Sequence, residues 1–282
     1  MNPKYPIFVP TKGRYESLLT IKAFEEIRVP YTAVIEEQEY DNYAAVVDPK
    51  KILVLPHRDK GLTVTRNWIW DYAYKKGYER FWTFDDNIHG LYRLNRNMKL
   101  KVGTGTVLKI IEDFTERYTN VPISGMNYFM FASRKSKNPP YYLNTRVYSN
   151  MLIKTDVKDP NGEFFRNVTF YNDDTDLCLR ILKAGFCTIL FNAFLIYKAT
   201  TMTMKGGMTE YYKSDECEGR KKFAQELVDA HPDVARITWK FGRWHHQVNY
   251  KPFKNNKLIL RDDLKIPEGV NNYGLILKNV DV

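Results

Sequence analysis

Hydrophobic and polar positions along the chain follow two alternating periods. Tyr5–Pro10 is a short apolar run closed by Pro, Thr and Gly, which predicts a buried strand leading into a loop. Glu16–Arg28 sets Leu18, Leu19, Ile21, Phe24 and Ile27 at helical spacing. Tyr31–Ile35 and Lys51–Leu55 predict two further strands, the latter closed by Pro56. Thr63–Lys76 reads as an amphipathic helix stopped by Gly77, and Arg80–Phe84 as a fourth strand running straight into Asp85-Asp86-Asn87. Strands alternating with helices at this interval predict βαβ units and a mostly parallel sheet.

Further on the pattern is less regular. Thr106–Tyr118 predicts a helix, Val121–Phe131 one or two strands, Ser133–Asn144 a polar loop around Pro139-Pro140, and Val147–Lys154 a strand. Asp174–Ala184 is a helix stopped by Gly185, followed by two strands, Cys187–Phe191 and Phe194–Ala199, on either side of Asn192. Asp215–Ala230 is a last helix, and the chain from Pro232 is basic and aromatic with little helical period. No linker rich in Pro, Gly or Ser divides the chain. The expected organisation is one α/β domain over residues 1–231, with an extension over 232–282 packed on it.

Composition narrows the class. Of 282 residues, 44% are hydrophobic and 27% charged, enough for a buried core and unlike a disordered chain. The apolar stretch Phe186–Tyr197 is broken by Thr188 and Asn192 and is too short to span a bilayer, and the N-terminus lacks the apolar run of a signal peptide. Cys178, Cys187 and Cys217 are odd in number and lack metal-type spacing. A cytoplasmic protein with reduced thiols and no membrane contact is expected.

The charge sum, 43 − 33 = +10, favours an anionic partner, and an aromatic share of 15% suggests rings used at surfaces or in sugar and base pockets. Three stretches contain no acid. Asn87–Ile111 is the first, and Arg117–Thr155, with Arg134, Lys135 and Arg146, is the second. Val234–Arg261 is the third, with Arg243 and six other basic residues among Trp239, Phe241, Trp244, Tyr250 and Phe253. Basic residues interleaved with rings suit a phosphate backbone and an exposed base, the alternative being core rings beside a solvated face.

Three constellations carry candidate chemistry. Asp85, Asp86 and Asn87 follow a strand end, where open α/β sheets bind ligands, and adjacent carboxylates suit a hard divalent ion bridging to a diphosphate. The plainer reading is a solvated turn. Asp173-Asp174-Thr175-Asp176 opens a helix, as caps would, but with more acids than a cap needs, so a general base is possible there. Thr11-Lys12-Gly13-Arg14 follows the first strand, Glu36 the second, and Arg66-Asn67 lies in the helix before the acid turn; Arg and Lys near strand ends suit a diphosphate, and an acid after the second strand suits ribose hydroxyls.

In this order, from about Tyr5 to Tyr197, these motifs resemble a GT-A fold nucleotide-sugar glycosyltransferase. The resemblance implies a Rossmann-like mixed, mostly parallel sheet flanked by helices. Phe84-Asp85-Asp86-Asn87 is similar to the DxD motif that holds ribose and Mn²⁺ or Mg²⁺, with Asn87 where the family has a carboxylate. Asp173-Asp174-Thr175-Asp176-Leu177…Arg180…Ala184-Gly185 is similar to the ED-x-D-L-x-x-R…A-G signature, which makes Asp174 the base and puts Asp173 in place of the usual Glu. Thr11, Arg14, Glu36, Arg66 and Asn67 then contact the nucleotide, and Lys205, before Gly206-Gly207, the leaving diphosphate. A late His joins the metal in many such enzymes; His245 and His246 are the candidates, and in a strand only one faces the site.

A closer resemblance is to the TET-associated glycosyltransferase family, carried by Phe84–Asn87, Gly206-Gly207-Met208 and Arg243-Trp244-His245-His246 before Tyr250. It implies bacteriophage-type enzymes that attach sugars to 5-hydroxymethylated pyrimidines in DNA. The expected activity is metal-dependent, inverting transfer from a UDP-sugar to 5-hydroxymethylcytosine in DNA, with Arg134, Lys135, Arg243, Trp244 and Tyr250 on the nucleic acid. Rival readings are a polysaccharide, lipid or protein acceptor, a non-catalytic DNA-binding module, and, last, a nucleotidyltransferase.

Overall fold

The computed structural model describes residues 1–133, 137–199, 218–264, 269, 270, 274 and 276. Its centre is a ten-stranded sheet. Strands β1 (Ile7–Pro10), β2 (Thr32–Glu36), β3 (Ile52–Leu55) and β4 (Arg80–Phe84) run parallel, alternating with helices α1 (Leu19–Glu26), α2 (Tyr40–Ala44) and α3 (Leu62–Lys75). Next come the hairpin β5 (Ile88–Asn95) and β6 (Met98–Lys101), helix α4 (Thr106–Thr115), β7 (Ile123–Tyr128), β8 (Tyr141–Leu143) and β9 (Asn150–Lys154). Helix α5 (Asp173–Lys183), β10 (Thr188–Lys198), α6 (Glu218–Ala230) and a separate hairpin, β11 (Ala235–Lys240) with β12 (Arg243–Val248), complete the order. The sheet runs β3-β2-β1-β4-β9-β7-β10-β5-β6, with β8 on β10. β9 is antiparallel to both neighbours, β7 and β10 are parallel, and β5, β6 and β8 run against their partners. The fold is the expected mixed α/β sheet flanked by helices.

The runs are continuously apolar because both faces of the sheet are covered. Side chains alternate across a strand. Ile7, Val9, Trp82 and Phe84 enter the core beneath α1 and α4, while Phe8 and Phe81 enter the core beneath α3 and α5. Gly125 in β7 fits a close approach: a Cβ there would lie 2.1 Å from the Asn150 carbonyl oxygen of β9.

Several elements differ from the pattern read in the sequence. The first helix begins at Leu19, after Leu18 in a left-handed conformation (φ 48°). The strand expected from Val147 starts at Asn150, because Ser149 is left-handed (φ 62°). The two strands expected around Asn192 are one strand, β10; its register on β7 slips between Phe191 and Leu195, and the buried Asn192 amide bonds Asn127 and Pro139. The β5–β6 hairpin has few fully buried positions and so gave no apolar run, and β8 lies inside the stretch read as a polar loop.

Residues after the last hairpin are tied to the sheet unit by backbone groups. Asn256 Nδ2 donates to the carbonyls of Leu182 and Phe186 at the end of α5, and Asn144 Nδ2 donates to those of Phe253 and Asn256. Phe253 shares a core cluster with Leu179, Leu182, Leu227 and Val234. Among the described residues, no helix is long and apolar enough to cross a membrane, and Cys178 and Cys187 are buried free thiols; Cys217 lies outside the described residues.

Candidate active site

Topology gathers the candidate residues at one edge. The carboxyl ends of the parallel strands β1, β2 and β4 deliver Thr11, Glu36 and Asp85 there. β9 is reversed, so its start lies at the same edge: the Asp85 N–H donates to Ser149 O at 2.8 Å. β7 and β10 end there with Tyr128 and Lys198. Asp85-Asp86-Asn87 is the crossing from β4 to β5, which β9, β7 and β10 separate in the sheet. Ile88 pairs with Lys198, and Asn87 O accepts from the Ala199 N–H at 2.9 Å.

Fixed cations surround the acids. Asp85 Oδ1 accepts from Arg66 Nη2 at 2.7 Å, and its Oδ2 accepts from Lys198 Nζ at 2.6 Å. Lys198 also donates to Ser149 Oγ at 2.7 Å, an oxygen aimed by the left-handed backbone at Ser149. Asp86 pairs with Arg14 through Oδ1 and accepts from Thr11 Oγ1 at 2.9 Å through Oδ2. Thr11 in turn shares a hydrogen bond with the Tyr43 hydroxyl. Arg66 is 6% exposed and reaches both Asp173 oxygens through Nη1, at 2.7 and 2.6 Å. Asp173 is thus the counter-ion that fixes Arg66.

The two neighbouring carboxyls are driven apart. Burial pushes Asp85 up, but Lys198 and Arg66 outweigh it and hold the acid well below the usual carboxylate range. Asp86 goes the other way, because burial outweighs the pull of Arg14. For Lys198, burial favours the neutral amine, yet Asp85 holds the ammonium above its ordinary value.

Asp174 differs from its neighbours. It is part-exposed at the first turn of α5, and Oδ1 accepts from the Thr175 N–H at 2.6 Å, while among the described residues Oδ2 has no donor. Its charge acts on Arg146, Tyr148, His246 and Tyr250. The Arg146 guanidinium lies 4.8 Å over the Tyr148 ring and 3.4 Å from His246 Nε2. Tyr148 meets Tyr128 edge-on at 4.2 Å, and the buried Tyr250 hydroxyl faces the Arg146 backbone. One free carboxylate oxygen therefore stands next in the chain to Asp173, the partner of Arg66, and its charge reaches Arg146, Tyr148 and Tyr250.

Other candidates are placed differently. Asn67 faces away from the acids: its side chain clips Asn167 N and O at 2.8 and 2.9 Å. Glu36 is buried, with Oε1 accepting from the Asp59 N–H and Oε2 from Lys12 and Gln38, so its oxygens already have donors. His246 faces Arg146, and burial first, then Arg146, pushes its imidazole down to about 4, so it is neutral near pH 7. His245 lies on the opposite face of β12 and accepts from Arg243 Nε at 3.1 Å. Arg243 is exposed, Trp244 is half-buried beneath Lys221, and Tyr250 turns toward Arg146 and Asp174. Lys205, Arg134 and Lys135 lie outside the described residues.

The residues expected to hold Mn²⁺ or Mg²⁺ do not fit one. A divalent ion here would need carboxylate oxygens, and all four of Asp85 and Asp86 are engaged by Arg66, Lys198, Arg14 and Thr11. Asn87 contributes one neutral oxygen, Oδ1, buried without a partner among the described residues. His246 sits against a guanidinium, and among the described residues no group of three or more His, Cys, Asp or Glu side chains is arranged as a metal site.

Lys198, Ser149 and Tyr148 belong to none of the sequence motifs, and Arg146 only to an acid-free stretch. Lys198 carried a signal, a basic residue closing an apolar strand at the edge where ligands bind. Ser149 carried none, since its part depends on a left-handed backbone. The model of one protein family, described as TET-Associated Glycosyltransferase, matches residues 5–207. No curated protein matches the chain.

Proposed function

Since the chain belongs to the TET-associated glycosyltransferase family, and is a glycosyltransferase that uses a nucleotide-sugar donor, we propose that it moves a sugar from UDP to the hydroxymethyl group of 5-hydroxymethylcytosine in DNA, with inversion. The observation that carries this reading is Asp174 Oδ2, an acceptor without a donor among the described residues, next in the chain to the Asp173 that holds Arg66 and electrostatically coupled to Arg146 and Tyr250. A base has to lie within reach of the proton that it removes, and its neighbours here leave one oxygen for that task.

In the proposed step Asp174 takes the proton of the acceptor hydroxyl. The hydroxyl oxygen attacks the anomeric carbon from the face opposite the diphosphate, and the bond from that carbon to the diphosphate oxygen breaks, leaving UDP. Charge gathers on the departing diphosphate, and preorganised cations in a part-buried site stabilise it strongly. Lys198 and Arg14 supply them, held in place by Asp85 and Asp86. No step passes through a metal ion. On the acceptor side, Tyr148 and Tyr250 flank the base and Arg146 meets a phosphate or the base edge. The segment from residue 232 works within the same catalytic unit, since His246 and Tyr250 belong to the acceptor pocket.

The test is a mass scan of nucleosides from DNA containing 5-hydroxymethylcytosine, incubated with the protein and a panel of nucleotide sugars, beside the same DNA with plain cytosine. A hexose or N-acetylhexosamine adduct on the hydroxymethylated DNA alone is the expected result. Release of UDP without any DNA adduct would overturn the acceptor and keep the donor.

A further inference from the structure

The tip of the β11–β12 hairpin is built against local preference. Lys240 pairs with Arg243 across a two-residue turn, Phe241-Gly242, and both turn residues have positive φ, 54° and 70°. Turns of this kind favour Asn-Gly or Asp-Gly, because a bulky side chain is strained in the left-handed region. Phe241 is 90% exposed, so its ring covers no core. Its ring meets His245 edge-on at 6.3 Å and stays exposed, so neither turn geometry nor burial accounts for a phenyl ring there, and strain kept at an exposed position is a pointer to function.

The hairpin presents two unlike faces. Strand alternation sets Trp239, Trp244, His246 and Val248 on one side, where Lys221 of α6 lies 5.5 Å over the Trp244 ring. The other side carries exposed Arg236, Lys240 and Arg243, and the segment 234–261 contains no acid. From His246, beside the catalytic pocket, to the tip is about 16 Å at the usual rise of a strand. The ribbon is therefore anchored at the site by one end and offers a basic face and an exposed ring at the other.

We propose that this ribbon lies against the phosphates of a DNA duplex and that Phe241 inserts into the base stack as a wedge, filling the gap left by the nucleotide swung into the pocket. The inference rests on the reading of DNA as the acceptor. Charge complementarity favours a nucleic acid, and the wedge favours a duplex, since chemistry on a stacked base requires it to leave the stack and apolar side chains commonly open base steps. A single strand, already unstacked, would gain little from it.

The experiment uses the full chain and hairpin-tip variants F241N and F241W. Asn-Gly suits this turn, so F241N keeps the fold, with an unchanged or higher Tm. Binding is followed by 2-aminopurine fluorescence, the probe placed next to the target cytosine in a duplex, with no donor present. The wild type and F241W should raise the signal, and F241N should not. Transfer to duplex DNA should fall about ten- to hundredfold in F241N, and transfer to the same single strand less than about threefold. Equal fluorescence in wild type and F241N, no rise in the wild type, or equal loss on duplex and single strand would each overturn the wedge. Sugar transfer to no DNA at all would instead overturn the acceptor reading, and the fluorescence arm would still decide the wedge.

Discussion

The Lys198 ammonium lies 2.6 Å from Asp85 Oδ2, although two strands, β9 and β7, separate theirs in the sheet order. The contact exists because the Asp85–Asn87 crossing carries the chain past those strands to Ile88, which pairs with Lys198 itself. Replacing Lys198 by Met keeps the length of the side chain and removes the charge. Losing one preorganised group at a developing charge costs about 10²–10³ in kcat. K198M should lose that much, with a smaller change in KM for the nucleotide sugar. A kcat within about threefold of wild type, read from UDP release, would place Lys198 outside the leaving-group site.

With all four oxygens of Asp85 and Asp86 engaged by protein donors, turnover should not need a divalent ion. Chelation with EDTA followed by desalting should leave activity within about twofold, because no carboxylate pair waits for an ion of this kind. A collapse on chelation that Mn²⁺ or Mg²⁺ restores would refute this.

Asp174→Asn keeps an oxygen to accept from Thr175 N–H but cannot remove a proton. Turnover should fall by at least about 10²-fold, the usual worth of a positioned base. Donor binding, followed as the rise in Tm with UDP, should stay close to wild type. Near-normal turnover in this variant removes Asp174 from the mechanism.

Arg66 bridges Asp85 and Asp173 from a buried position, so R66M strips the buried Asp173 carboxylate of its ion-pair partner and leaves Asp85 paired with Lys198 alone among the described residues. Breaking such a network by removing one member costs about 3–5 kcal/mol. The urea midpoint of R66M should drop accordingly, and adding D173N should recover part of the loss. If the double variant is no more stable than R66M, Asp173 is not the charge left exposed.

His246 binds its proton less readily in the folded protein, near pH 4, than at its ordinary value of 6.5, because of burial and Arg146. As pH falls from 6.5 to about 4, the unfolded chain takes up that proton first, so stability declines through this window by at most about 3 kcal/mol. H246Q should flatten that part of a Tm profile. A profile parallel to wild type would trace the slope to other groups.

The fold was largely legible because burial on both sheet faces writes itself as plain apolar runs, such as Ile7–Pro10 and Arg80–Phe84. The paired acids and their helix were legible too, since spacing along one segment is a local property. What escaped the sequence was whatever distance in the chain conceals. Lys198 meets Asp85 across 113 positions, and Ser149 works through a backbone angle that no residue type announces. Asn67 shows the converse: adjacent to Arg66 in sequence, it points to a different loop, because neighbours on a helix diverge by about 100°.

The family match ends at residue 207, yet Leu179 and Leu182 on α5 are buried against Leu227, Val234 and Phe253. The stretch recognisable by inheritance is thus shorter than the stretch that folds. A fragment ending at 207 would keep Asp85, Asp174 and Lys198 but present a greasy stripe to water on the very helix that opens with Asp173 and Asp174. Grafting, truncation or domain shuffling in this family should therefore respect the boundary drawn by packing, beyond Phe253, rather than the one drawn by similarity.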